Sequence, residues 1–406
     1  MSVNLSVFDA FHPINGLKMG YSNAGIKQTE RPDVVVFELA QGATSAGVFT
    51  QNAFCAAPVQ ICKAHLQQAS TQYLLINTGN ANAGTGEPGY ADAMAICQAL
   101  ADAKGVDVRS VLPFSTGVIG ERLPLAKITS ALPSALNTMD AGNWFAASRG
   151  IMTTDTLSKG TSCQFEYQGT TFSISGISKG AGMIKPNMAT MLGFIATDAK
   201  VSKEILQAIC HELAEKSFNR ITIDGDTSTN DSCILMATGA SGGAELTDKN
   251  DAFYGVLKAQ LEKVFICLAQ AIVRDGEGAS KFVSINVSGC NNNAEALEIA
   301  YTVAHSPLVK TALFASDANW GRILAAVGRS HVKDIRVEDI QIHLDEVCIV
   351  NDGARAEDYT EEAGSAVMAQ DELSINISMG RGTASETVWT TDLSHDYVSI
   401  NADYRS

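Results

Sequence analysis

Hydrophobic and polar positions follow one rhythm up to about residue 280 and another beyond it. In the first part, short apolar runs alternate with longer segments whose apolar residues recur every three or four positions. VVVFELA (34–40) and YLLIN (73–77) read as buried strands. YADAMAICQALADAKG (90–105) has helical spacing and reaches a natural stop at Gly105. VSKEILQAICHELAEKS (201–217) is the clearest amphipathic helix, and DAFYGVLKAQLEKVFICLAQAIVRDG (251–276) is the longest. After residue 280, KFVSINVSG, IQIHLDEVCIVNDG and DELSINISMG alternate apolar with polar between turn residues, as half-covered strands do. Helical spacing persists there mainly in HSPLVKTALFAS and WGRILAAVGRS. The pattern predicts a mixed α/β protein with a main domain over 1–280 and a smaller, strand-rich α+β domain over 281–406. No internal repeat or low-complexity tract is evident.

Composition narrows the function classes. The 406 residues are enough for two or three domains, and 46% hydrophobic with 18% charged residues is ordinary for a globular protein. A formal charge of −15 and a pI near 4.9 argue against nucleic acid or an anionic membrane surface as partner, since both reward clustered Lys and Arg. The N-terminus, MSVNLSVFDAFHPINGLKMG, has no basic segment ahead of an apolar one, so no signal peptide is expected. VFICLAQAIV (264–273) is about half the length of a membrane span and reads as a buried helix. A soluble, cytoplasmic protein is the expectation. Nine cysteines and seven histidines form no CxxC or HxxxH pattern, so no metal site is expected. Most of the thiols, as in ICLAQ, sit among apolar residues and read as small hydrophobes.

Several loops suggest chemistry without specifying it. NTGNANAGTGEPG (77–89) follows a strand and precedes a helix, as a phosphate loop would, but it lacks the terminal Gly-Lys-Ser/Thr and fits GxGxxG nowhere. SKGAGMIKPN (178–187) is equally incomplete, and both read as tight turns or close packing ahead of nucleotide binding. RDGEGASK (274–281) places Glu277 between glycines, where a solvated loop is the default reading. TIDGDTSTNDS (222–232) lacks the twelfth-position Glu of a calcium loop and reads as a polar turn beside a site. KPNMATMLGFIATDA (185–199) is bare of His, Cys and charge between Lys185 and Asp198, and Thr190 stands in it among small and apolar neighbours. It is either part of a buried strand or a nucleophile. No His lies within twenty residues of Thr190 to serve as base. Cleavage before the threonine would supply one, since a freed α-amine has a pKa of about 7.7–8.0.

KGAGMIKPNMATMLGFIATDA resembles the signature of the ornithine acetyltransferase family, the arginine-biosynthesis proteins with glutamate N-acetyltransferase activity. The likeness continues in the same order through AGVFTQNAFCAAPVQ (46–60), NTGNANAGTG (77–86), STGVIGERLP (115–124), IMTTDT (151–156), TIDGDTSTND (222–231), VRDGEGASKF (273–282), SDANWGRILAAVGRS (316–330) and DYVSINADYRS (396–406). The resemblance implies a layered α/β sandwich that cleaves itself between Ala189 and Thr190, giving an α chain 1–189 and a β chain 190–406 that assemble as α2β2. It makes Thr190 the nucleophile and its α-amine the base, with the Thr116 hydroxyl and the Gly117 N–H as oxyanion donors. Substrate contacts fall on Thr153, Lys179, Thr190, Glu277, Asn401 and Ser406, the last of which is usually threonine in the family.

The implied reaction moves an acetyl group from N2-acetylornithine to glutamate with no cofactor. Some members also take acetyl-CoA as acetyl donor and so act as amino-acid N-acetyltransferases, which this sequence leaves open. Two other readings stand beside it. One is a self-processing N-terminal-nucleophile aminopeptidase or amidase, which would pass the acyl group to water. The other is a binding protein that keeps the fold without processing, against which Thr190, Thr116, Gly117, Lys179 and Glu277 all speak.

Overall fold

The computed structural model describes residues 2–27, 30–185 and 191–403. The chain divides into two compact units, Val7–Asn219 with Asp226–Ile272, and Val273–Ser406 with Met1–Ser6 and Arg220–Gly225.

The larger unit contains β1 (Leu17–Ser22), β2 (Val34–Leu39), β3 (Thr44–Phe49), α1 (Ala57–Gln68), β4 (Tyr73–Asn80), α2 (Gly86–Lys104), β5 (Val111–Val118), α3 (Leu125–Asn137), α4 (Trp144–Gly150), β6 (Lys159–Tyr167), β7 (Thr170–Lys179), β8 (Leu192–Thr197), α5 (Lys203–Lys216), β9 (Ser232–Ala237) and most of α6 (Ala252–Arg274). They form a four-stranded sheet in the order β1-β2-β4-β5 and a five-stranded sheet in the order β3-β9-β8-β7-β6.

Burial on both faces explains why VVVFELA is apolar at every position but Glu38. Val35, Phe37 and Leu39 enter a core shared with Phe194, Ile177 and Met236 of the other sheet, while Val34 and Val36 face Ile96, Leu100 and Ile128 of the helices outside. Leu74 and Ile76 of β4 face inward in the same way, and Tyr73 and Leu75 outward. Phe194 spans the sheets, its ring 5.5 Å from Phe37 and 5.1 Å from Phe114. On the far side, α5 packs on β3 and β9, and the Leu268 carbonyl of α6 accepts from the Ser178 hydroxyl of β7 at 3.3 Å. The result is a helix–sheet–sheet–helix sandwich, the layered architecture expected for this part of the chain. Parallel pairing of β4 with β5, and of β8 with β9, follows from the helical crossovers α2 and α5.

The second unit holds β10 (Phe282–Cys290), α7 (Asn293–Ala304), α8 (Pro307–Phe314), α9 (Trp320–Gly328), β11 (Gln341–Leu344), β12 (Val347–Asn351), β13 (Ala354–Arg355), α10 (Glu361–Met368), β14 (Glu372–Ser378), β15 (Ala384–Thr391) and α11 (His395–Ala402). Its sheet runs β13-β12-β11-β14-β10-β15. The alternation of KFVSINVSG is the cause of its one-sided burial: Val283, Ile285 and Val287 join the core. Asn286, between them, joins a side-chain ladder with Asn376 and Thr387, both at 2.7 Å.

Two local readings change. Strand β4 runs to Asn80, three residues beyond YLLIN, because its end remains paired with β5. Cys267 of ICLAQ is exposed on α6, whereas Cys62, Cys97, Cys210, Cys233 and Cys290 are the small buried hydrophobes expected.

Candidate active site

Ala189, Thr190 and Ser406 lie outside the described residues. The remaining expected site residues form two groups, one in each unit.

In the sandwich, Thr116 and Gly117 sit near the carboxyl end of β5, beside the end of β4, where parallel strands commonly offer their sites. Thr116 is 8% exposed. Lys179, the last residue of β7, donates from Nζ to its Oγ1 at 3.2 Å. An ammonium group can only donate, so Thr116 is the acceptor and keeps its own O–H proton for another partner. Gly117 has φ 136°, and a Cβ there would lie 2.3 Å from the carbonyl carbon of Gly79. The two strand ends therefore approach closely only because this residue is glycine.

The asparagine-rich loop explains what fixes Thr116. Asn77 accepts from the Ser115 hydroxyl at 2.6 Å and donates to the Asn80 carbonyl at 3.0 Å. Asn80 donates to the carbonyls of Glu121 and Arg122, and Asn82 to that of Gly89. Asn230 donates to the carbonyls of Ala81 at 2.5 Å and Ser115 at 2.9 Å. The motif that looked like a phosphate loop thus spends its side-chain amides on the protein's own backbone carbonyls.

Residues 226–232 have a related role. Thr227 pairs with Ile184 and donates to the Lys185 carbonyl at 3.1 Å, while the Ser232 N–H donates to Met191 at 3.0 Å. One short run thereby holds the described chain on both sides of residues 186–190.

Thr153 is gripped through its backbone. Its N–H donates to Asp155 Oδ2 at 2.9 Å, and its carbonyl accepts from Arg31 Nη2 at 2.7 Å. Asp155 Oδ1 also accepts from Lys159 Nζ at 2.6 Å and from the Gly180 N–H, beside Lys179, at 2.7 Å. The side chains of Asp155 and Lys159 are both 0% exposed. Burial by itself raises the Asp155 pKa, but Lys159, Lys179 and the Gly180 N–H outweigh it and hold the carboxyl well below the usual carboxylate range. Burial also lowers the Arg31 guanidinium, an effect that Asp155 opposes. The sequence reading missed Asp155, Lys159 and Arg31. The available signals were the TTDT of a matching block and an acid and a base four residues apart.

In the second unit, Glu277 corrects its loop reading: it is 8% exposed rather than solvated. Asn401 Nδ2 donates to Glu277 Oε2 at 2.8 Å. The loop is pinned to α11, because the Ser394 hydroxyl donates to the Gly278 carbonyl at 2.6 Å and a Cβ on Gly278 would lie 2.4 Å from the Tyr397 nitrogen. A buried carboxylate with an amide neighbour can bind an ammonium group.

Among the described residues, no group of three or more His, Cys, Asp or Glu could hold a metal ion, and no helix is long and apolar enough to cross a membrane.

Fold and site define an enzyme of the layered α/β-sandwich class. The profile of the ArgJ family matches residues 18–406. Over 406 residues, the whole of each chain, the protein is 59% identical to the arginine biosynthesis bifunctional protein ArgJ of Pseudomonas syringae pv. tomato. It is likewise 59% identical over 406 residues to the protein of that name from Pseudomonas fluorescens. The crystal structure of arginine biosynthesis bifunctional protein argJ from Bacillus halodurans aligns with TM-score 0.50 and 36% identity, over 52% of this chain and 99% of that one. The chain belongs to the ArgJ family.

Proposed function

We propose that this chain transfers an acetyl group from N2-acetylornithine to glutamate in arginine biosynthesis, after cutting itself between Ala189 and Thr190. The observation that carries the reading is the Lys179–Thr116 contact at a strand end. A cation holds a buried hydroxyl by its oxygen and leaves the hydroxyl proton for an oxyanion. Family membership supports the substrate assignment, as do Glu277 and Asn401, which suit an amino-acid ligand. The length of the Bacillus halodurans chain also fits. About half of the present chain accounts for nearly all of it, the share that one side of a central cut would supply.

In the proposed cycle, the Thr190 hydroxyl attacks the acetyl carbonyl while its proton passes to the Thr190 α-amine. The tetrahedral oxyanion accepts from the Thr116 hydroxyl and the Gly117 N–H. Such donors each contribute on the order of 3 kcal/mol when aimed at developing charge. The amide C–N bond breaks, the leaving nitrogen takes the proton from the α-amine, and ornithine departs from an acetyl ester on Thr190. The amine of glutamate attacks the ester and the steps run in reverse, giving N-acetylglutamate and free Thr190. Lys179 serves a substrate carboxylate and Glu277 the ornithine ammonium group, with Thr153, Asn401 and Ser406 as further contacts.

No resident cofactor takes part. Both Pseudomonas relatives are named bifunctional, and we extend that to acetyl-CoA as a second acetyl donor here. The two chains are proposed to remain together as α2β2 in the cytoplasm. Ornithine release, measured with and without glutamate in wild type and Thr190→Ala, tests the reading. Release should depend on glutamate in wild type and be absent from the variant. Rapid release without glutamate would instead identify a hydrolase, and an active Thr190→Ala would refute the nucleophile.

A further inference from the structure

The second unit contains a buried ammonium group that the proposed chemistry does not use. Lys310, on the inner face of α8, is 5% exposed. Its Nζ donates to Thr390 Oγ1 at 3.2 Å, to Thr391 Oγ1 at 3.3 Å and to the Thr391 carbonyl. The charged groups acting on it are the carboxylates of Asp392 and Asp224.

Each of these carboxylates also supports one half of the Glu277–Asn401 pair. Asp392 accepts from the N–H groups of Ser280 and Lys281 at 2.9 and 3.1 Å and from the Ser280 hydroxyl at 2.5 Å, fixing the loop that carries Glu277. Asp224 accepts from the Tyr397 hydroxyl at 3.3 Å, on the helical turn before Asn401. A buried ammonium group carries a desolvation cost that an apolar residue would not, and its bonds to Thr390 and Thr391 are what it gains in return.

We propose that Lys310 is a positioning residue for Glu277 and Asn401: its bonds to Thr390 and Thr391 fix the strand end that leads into Asp392, its charge balances Asp392 and Asp224, and those two carboxylates hold the loop and helix that aim the Glu277 carboxylate. This rests on reading Glu277 as the contact for the ornithine ammonium group. Burial pushes the Lys310 ammonium down to about 8, with Asp392 and Asp224 opposing the shift. The positioning charge is therefore lost just above neutrality.

The stability consequence has the opposite sign. Between about 8 in the folded state and the ordinary lysine value of about 10.4, the unfolded chain binds more protons. This group's contribution to stability thus rises with pH across that window. Thermal melts over the same range therefore separate a loss of substrate affinity from unfolding.

The experiment measures KM and kcat for acetylornithine, with thermal melts, between about pH 7 and about pH 9.5, on the full protein and on Lys310→Met, Asp224→Asn and Glu277→Gln. Wild-type KM should rise about tenfold across that range, the scale of a small misplacement at a site. Lys310→Met should show the raised KM already at neutral pH, with no further alkaline rise and with kcat changed less. Asp224→Asn, which keeps the shape of the side chain, should raise KM in the same direction. A folded Lys310→Met with wild-type KM and an unaltered alkaline rise would overturn the inference. Should that variant not fold, wild-type KM in Asp224→Asn would overturn it. A wild-type KM in Glu277→Gln would remove the underlying reading as well, whereas a raised one beside a normal Lys310→Met would remove the inference alone.

Discussion

The Thr116–Lys179 centre and the Glu277–Asn401 centre each set a buried polar group, Thr116 or Glu277, against a less covered partner, yet they are built in opposite ways. The first rests on strand ends, on asparagine side chains bonded to main-chain carbonyls, and on a carboxylate held ionised far below neutrality. The second rests on links from a loop to an eight-residue terminal helix, backed by a lysine that titrates near 8. The difference suits a division of labour. Groups that stabilise a transition state must be fixed before it forms, because their value lies in not having to reorganise. Groups that recognise a substrate tolerate adjustment, and changes in them fall on binding.

The contrast breaks most visibly at Asp155. Asp155→Asn leaves Lys159 buried without its counter-ion and should cost about 3–5 kcal/mol of stability, read in chemical denaturation. The depressed carboxyl also gives a sign for acid. Its stabilisation is complete above the ordinary carboxylate range and declines as pH falls below it toward the folded value. Next in size, Thr116→Ala should lower kcat by roughly 10²–10³-fold with little change in KM or melting temperature. Glu277→Gln should do the reverse, raising KM for acetylornithine about tenfold with a smaller loss of kcat. The smallest effect is expected for Asn401→Ala, which removes one hydrogen bond to Glu277 worth about 1 kcal/mol. If Thr116→Ala moved KM, or Glu277→Gln moved kcat alone, the division between the two centres would be wrong.

What could be read from sequence follows what is local. Helix α5 announced itself because Ile205, Leu206, Ile209, Cys210 and Leu213 share one face and Ser202 caps its start. The alternation of β10 was equally plain. Strands β8 and β9 were not, since LGFIAT and SCILMA are buried at every position and carry no period. Segments 1–6 and 220–225 join the second unit from outside its main stretch, 273–406, a relation no local pattern encodes.

The site behaves alike. Thr116, Gly117, Lys179 and Glu277 were reached through resemblance, because a lone threonine or a glutamate between glycines looks ordinary. Burial of Glu277 and the buried Asp155–Lys159 pair depend on tertiary neighbours. The asparagine loop misled in a specific way: its side chains imitate a ligand cradle while serving the protein's own carbonyls.

Mass spectrometry of the denatured wild-type protein, before and after incubation with acetylornithine in the absence of glutamate, tests the central claim most directly. The account predicts two chains, residues 1–189 and 190–406, and a 190–406 chain one acetyl group heavier after incubation, with the added mass on Thr190. A single intact chain that still transfers acetyl groups, or two chains of which neither gains one, would contradict it.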